Sequence, residues 1–245
     1  MLKTPNCQNN PSGSLISKLQ KIIHCTSPFF IVLLISGCAT ETFFHANFNG
    51  NAINQPPLQA QEVGSVLPDG PPNSVIVVNL APDLPGNWVK VSRPNNPSVV
   101  AGLQGTLKKF GGDGVYVFTT TLLIPSGSGV VTIQFERFNQ PVNQYERFLH
   151  IDFLENNQVR IDDDANTNFG TFPRDKPFIA QVTLNIKTSA SDADIVLSGT
   201  GASGQANRLI GSNSFARQFG AVRLWMGFPW VGSFNATNIV VKRRD

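Results

Sequence analysis

Charge, cysteine and long hydrophobic runs are all scarce in this 245-residue chain, and each scarcity removes a class of protein. Only 14% of the residues are charged, against roughly 25% in an average globular domain, which excludes a disordered, coiled-coil or nucleic-acid-coating chain. The formal charge of +3 is confined to the start: Lys3, Lys18 and Lys21 precede the first acidic residue, Glu41, and beyond them 16 basic residues balance 16 acidic ones. Phosphate binding needs a clustered basic face, and the one basic run, Lys242-Arg243-Arg244, reads as a solvated terminus, so no nucleic acid is expected as a partner. The cysteines are Cys7, Cys25 and Cys38, so the long downstream stretch has neither a disulfide nor a cysteine metal cluster. A His-Glu-x-x-His helix and a Gly-x-Ser-x-Gly elbow are missing as well. Gly199-Thr200-Gly201-Ala202-Ser203-Gly204 matches Gly-x-Gly-x-x-Gly, but no amphipathic helix or acidic residue follows as a dinucleotide site requires, and it reads as a flexible loop.

What is present begins with a targeting pattern. Lys18 and Lys21 precede an apolar run, Pro28 to Gly37, whose ten residues would reach about 15 Å as a helix. That is half a bilayer core, too short to span and suited to a secretory signal. Ile35-Ser36-Gly37-Cys38 resembles the lipobox of bacterial lipoproteins. The resemblance implies a signal peptide over 1–37, acylation of Cys38, membrane attachment through several acyl chains such as palmitate, and residence in the cell envelope. Ala39, where an Asp would favour retention at the inner membrane, points by the same resemblance to the outer membrane.

Beyond the anchor, residues 38–72 read as the lipidated Cys, an opening strand at 42–49 and a loop excursion rich in Gln, Pro, Asn and Gly. From 73 to 245 short β-prone runs recur at Val75 to Leu80, Trp88 to Ser92, Gly102 to Lys108, Val115 to Ile124, Val130 to Arg137, Arg147 to Leu154 and Gln158 to Asp162. They continue at Phe178 to Ile186, Ala193 to Leu197, Ala221 to Met226 and Phe234 to Val241. This spacing, punctuated by Gly, Pro, Asn and Asp, predicts an all-β domain. Alternation places Val131, Ile133 and Phe135 on one face and Thr132, Gln134 and Glu136 on the other. Leu149, Ile151 and Phe153 likewise oppose His150 and Asp152, and Val159 and Ile161 oppose Arg160 and Asp162. Asn156-Asn157 occupies the tight turn between two of these strands.

Phe48-Asn49-Gly50 near the start, the alternating strands, and a last strand over Phe234 to Val241 able to pair beside the first resemble the concanavalin A-like lectin/glucanase family over about residues 42 to 241. That resemblance implies a two-sheet antiparallel jelly-roll sandwich whose polar face is a common place for glycans.

The candidate ligand-binding residues are therefore Gln134, Glu136, His150, Asp152, Arg160 and Asp162, which combine amide, carboxylate, imidazole and guanidinium groups that hydrogen-bond sugar hydroxyls. Most of the 18 phenylalanines are expected in the core. Trp225 and Trp230, in Arg223-Leu224-Trp225-Met226-Gly227-Phe228-Pro229-Trp230, are the candidates for a ring platform, with Phe228 between them. Were the protein an enzyme, Glu136 and Asp152 would serve a glycoside hydrolase and His150 the base of a lyase. The family's Glu-x-Asp-x-Glu strand is broken here, because His150 stands where the first Glu would be. No cofactor motif is present. Asp162, Asp164 and Asn166 carry oxygen ligands at alternate positions, the pattern of a Ca²⁺ loop, but lack the Gly and Glu of an EF-hand. Three function classes follow: a non-catalytic binder of glycan or envelope component, a hydrolase or lyase, and a structural or adhesion lipoprotein partnered by an envelope protein.

Overall fold

The computed structural model describes residues 40–96, 98–212, 218–227 and 229–244. Cys38, the segment before it and Phe228 lie outside these. Among the described residues, fifteen strands are connected by turns and two one-turn 3-10 helices. No helix among the described residues is long and apolar enough to cross a membrane.

The strands are β1 (Thr40–Ala46), β2 (Ser65–Asp69), β3 (Val75–Asn79), β4 (Asn87–Arg93), β5 (Ala101–Gly111), β6 (Gly114–Leu123), β7 (Val131–Asn139) and β8 (Gln144–Phe153). They continue with β9 (Gln158–Ile161), β10 (Gly170–Thr171), β11 (Phe178–Ile186), β12 (Ala190–Ser198), β13 (Ser203–Ser212), β14 (Phe219–Met226) and β15 (Gly232–Arg244). Every pairing is antiparallel, as two-residue turns and short connections permit. The order β2-β5-β14-β7-β8-β9 forms a front sheet and β13-β12-β11-β6-β15-β4-β3 a back sheet, with β1 also on β15. The two-residue β10 joins them by pairing with both β9 and β13. Glycine is needed at that seam: Gly170 sits opposite Gly204, and a Cβ at Gly170 would lie 2.4 Å from the Ser203 carbonyl oxygen. The protein is thus an all-β, two-sheet antiparallel sandwich of jelly-roll type, with first and last strands side by side.

Phenylalanines join the layers. Phe118 on β6 meets Phe135 on β7 edge to face at 5.2 Å, and Phe153 on β8 meets Phe178 on β11 at 5.4 Å. Phe43, Phe44, Phe48, Phe172, Phe219 and Phe234 are also fully buried. Each buried ring contributes roughly 1.5 to 3 kcal/mol by leaving water.

Two stretches differ from the sequence reading. The expected loop excursion before residue 73 contains β2, an edge strand paired with β5 whose other side holds only the isolated Ala60–Ser65 bridge, an edge position that tolerates Pro68. The expected flexible Gly-rich loop is shorter than its motif, since Ser203 and Gly204 already belong to β13. That strand is polar and of low β propensity, and its pairing with β12 over Ala193 to Leu197 defines it. The Asn156-Asn157 turn is as expected: the Asn157 amide donates to the Leu154 carbonyl at 3.1 Å, and Asn157 adopts a left-handed φ of 66°.

Candidate functional site

Register builds the site on the outer face of the front sheet. One cross-strand row contains Gly102, Trp225, Thr132, Asp152 and Arg160. The next contains Gln104, Arg223, Gln134 and His150, after which the Asp162 amide donates to the His150 carbonyl at 3.1 Å. At about 4.8 Å between strands, side chains in one row are nearest neighbours.

This face is not a solvated polar surface. Thr132, Gln134, Glu136, His150 and Asp152 are all at most 8% exposed. Burying a polar group costs free energy unless it is hydrogen-bonded, so their partners matter. Asp152 takes the Thr132 hydroxyl proton at 2.7 Å on one oxygen and the Arg160 Nε proton at 3.1 Å on the other. Arg160 also donates to Asp163 at 3.1 Å. Gln134 Nε2 donates to Glu136 Oε1 at 2.6 Å, and Arg223 reaches across to Asp69. His150 lies among three carboxylates, Asp163 at 3.2 Å, Asp162 at 3.4 Å and Asp152 at 3.5 Å, but neither of its ring nitrogens makes an aligned hydrogen bond. Glu136 Oε2, Arg223 Nε and Trp225 Nε1 are buried without a hydrogen-bond partner as well. Each of these atoms is closed off from solvent and carries a desolvation cost.

The electrostatics follow from this packing. Burial pushes the His150 pKa down, but Asp152 and Asp163 outweigh it and raise it above the ordinary histidine value of 6.5. Burial pushes Asp152 up, yet His150, Thr132 and Arg160 hold it below 3.8. Glu136 is raised above 4.5 by burial, against the opposing Gln134 bond and Arg223 charge. His150 and Asp152 therefore favour an ion pair, while burial works against the charged form of Glu136.

A cavity of about 140 Å³ opens on this face. Thr132, His150, Asp152 and Val130 form its buried lining, Trp225 and Trp230 are half-buried walls beside Gly227, and Arg147, Arg160 and Asp163 stand at its mouth. The ring of Trp225 packs over Gly227, where a Cβ would come within 2.4 Å of it. Trp230 is held from behind by the buried Arg93, whose guanidinium donates to the carbonyls of Trp230, Val99 (2.6 Å) and Asn96 (2.6 Å).

Of the residues singled out from the sequence, the cavity gathers His150, Asp152, Arg160, Trp225 and Trp230. Gln134 and Glu136 share the face but lie outside the lining, and Asp162 supports His150 while its other oxygen takes Arg208 at 3.2 Å. Glu136 sits four residues along β7 from Thr132, the partner of Asp152, a separation of about 13 Å along the strand. The two carboxyls of the hydrolase reading thus stand two rows apart, with Gln134 between them.

Arg147 and Asp163 escaped the sequence reading. Alternation counted back from Leu149 points Arg147 inward, but a bulge at β7–β8 pairs Phe135 with Leu149 and Glu136 with Arg147. The extra residue, Phe148, turns to the core and Arg147 turns out. Asp162 and Asp163 both adopt left-handed φ, 54° and 58°, so the second aspartate folds back onto the cluster instead of leaving it.

Two cation arrangements need weighing. In the acidic turn, Asp164 Oδ1 accepts from the Asn166 backbone amide at 2.9 Å and from its side-chain amide at 3.2 Å, capping a 3-10 turn, while Asp162 faces His150 and Arg208. Among the described residues, His150, Asp152 and Asp163 bring ligand atoms within 4.8 Å of one another. Arg160 already bridges those two carboxylates, supplying within the chain the positive charge that a metal would bring.

No family model matches the sequence, and no curated protein matches it significantly. Among solved structures, a protein of unknown function from Shewanella oneidensis MR-1 aligns over 96% of this chain and 97% of its own at 12% identity, with a TM-score of 0.52. Lectin II from Ulex europaeus covers 84% and 99% at 9% identity and a TM-score of 0.49. Arcelin-5, a lectin-like defense protein from Phaseolus vulgaris, covers 84% and 98% at 7% identity and a TM-score of 0.49. At these identities the likeness is one of fold.

Proposed function

We propose that this chain is a lipid-anchored protein of the bacterial outer membrane that binds a glycan, without catalysis, in the front-sheet cavity. The observation that carries the binding reading is the cavity itself: two half-buried indoles stand above a buried floor of Thr132, His150 and Asp152. A sugar ring presents an apolar face that stacks on such rings and a rim of hydroxyls that hydrogen-bond to such a floor. The volume of about 140 Å³ lies below the roughly 300 to 1,000 Å³ of pockets that enclose drug-sized ligands, so it suits one ring. The anchor rests on the lipobox pattern ending at Cys38, whose acyl chains would each contribute about 0.8 kcal/mol per buried CH₂.

Calorimetric titration of the body from residue 40 onward with a panel of soluble saccharides tests binding. Saturable uptake that weakens at least tenfold in Trp230→Ala supports the reading. A panel with no response, together with capture of an envelope protein, would replace it with the structural class. Product release that is lost in Glu136→Gln would replace it with the enzyme class. Mass spectrometry of the native protein tests the anchor separately: an acylated Cys38 is expected, and Cys38→Ala should free the protein from membranes.

A further inference from the structure

The outer face of the front sheet does not end at the polar rows. Along β7 the outward side chains run Thr132, Gln134, Glu136 and then Phe138. Phe138 stacks on Phe110 at 4.9 Å with planes 7° apart, and Tyr145 meets it at 5.2 Å. The cluster lies flat on the sheet because the residue beneath it is Gly220, where a Cβ would come 2.9 Å from Phe110 and 3.0 Å from Tyr145. Beside the rings opens a cleft of about 670 Å³, whose lining includes Phe110, Phe138, Pro141, Arg137, Asn139 and Gln218. Its surface is mixed. Phe110 is 43% exposed, Arg137 Nε donates to Glu146 at 3.0 Å, and Gln218 is exposed.

We propose that this cleft is a second subsite for the same ligand, so that the ligand is a linear polysaccharide laid along β7 and not a lone terminal sugar. The proposal rests on the glycan-binding reading above. From Thr132 to Phe138 is six residues of extended strand, about 20 Å, several sugar rings long. Rings stand at both ends of that span on the same face, and between them the half-buried Arg223 offers a guanidinium beside the buried Gln134 and Glu136. The first cavity admits one ring, whereas the second lies inside the size range of enclosed ligand sites. A chain that fills both gains affinity through effective concentration, because its second contact is intramolecular.

The test is a length series. Oligomers of β-1,4-glucose, of N-acetylglucosamine and of alginate, from a single ring to roughly six units, are titrated into wild-type protein, Phe138→Ala, Phe110→Ala and Trp230→Ala. Thermal melts accompany each variant, and Phe110→Ala, at an exposed ring, keeps the test valid should Phe138→Ala fold poorly. In at least one series affinity should rise with length by about tenfold or more. The phenylalanine variants should lose that rise, and Trp230→Ala should weaken every length. Binding that is independent of length, or a length effect untouched in both phenylalanine variants, overturns the second subsite while leaving single-ring binding standing. If no member of any series binds, the glycan reading itself fails.

Discussion

The outer faces of the two sheets arise from the same two-residue alternation, yet they differ in kind. On the back sheet, Thr119, Thr121, Gln181 and Thr183 are partly exposed and Asp194 is exposed, with core residues between them. On the front sheet the corresponding positions of β7 and β8 are buried and tied to one another through Asp152, Arg160, Thr132 and their neighbours. Alternation dictates which side chains leave the core. Whether they then meet water or each other depends on which chemical groups register brings together, and on the front sheet it brings Asp152, Arg160 and His150 beside two indoles.

The strongest contrast between the faces should come from Asp152→Ala. It strands Arg160, His150 and Thr132, and removing one partner of a buried charged cluster costs about 3 to 5 kcal/mol. Thr183→Ala on the back sheet is the control, and urea unfolding of both measures the gap. Arg93→Ala comes next: it leaves carbonyls of the Trp230 and Asn96 segments without their donor, at roughly 1 to 3 kcal/mol, and should weaken saccharide binding by loosening the Trp230 wall.

A pH series sharpens the comparison further. Since the His150 pKa is raised in the folded state, its stabilisation is complete below about 6.5 and fades as pH rises through its folded value. Asp152 is lowered, so its contribution is present above 3.8 and fades as pH falls through its folded value. Stability measured against pH should therefore decline on both sides of that window, and His150→Asn should flatten the upper decline. Glu136→Gln should change stability by only about 1 kcal/mol, because glutamine keeps the shape and the acceptor oxygen for Gln134 while removing a charge that burial disfavours. Thr183→Ala should be the smallest change, within about 0.5 kcal/mol.

Much of the sandwich was legible in the sequence, since strand alternation, the Asn157 turn and the phenylalanine-rich core are local signals. The sequence also pointed to the cluster of His150, Asp152 and Arg160, because each alternates with core residues. Arg147 was not legible: a single bulge reverses its side, and bulges follow from pairing with a partner strand and not from composition. Asp163 was hidden for a similar reason, a second consecutive left-handed residue at the end of β9. The burial of Glu136 and Gln134 depends on what covers the finished face, and a period of two carries no trace of it. The back-sheet strand β13 was missed because its pairing with β12 overrides weak propensity.

The central claim, that a sugar seats between Trp225 and Trp230, can be read directly from the three indole N–H signals in a nitrogen–proton correlation spectrum. Trp88 is buried on β4 outside the cavity lining and serves as the internal reference. On titration with a bound saccharide, the Trp225 and Trp230 signals should move in a saturable way while Trp88 stays fixed. Saturable binding that leaves both cavity indoles unmoved, or that shifts Trp88 as much as them, would contradict the account.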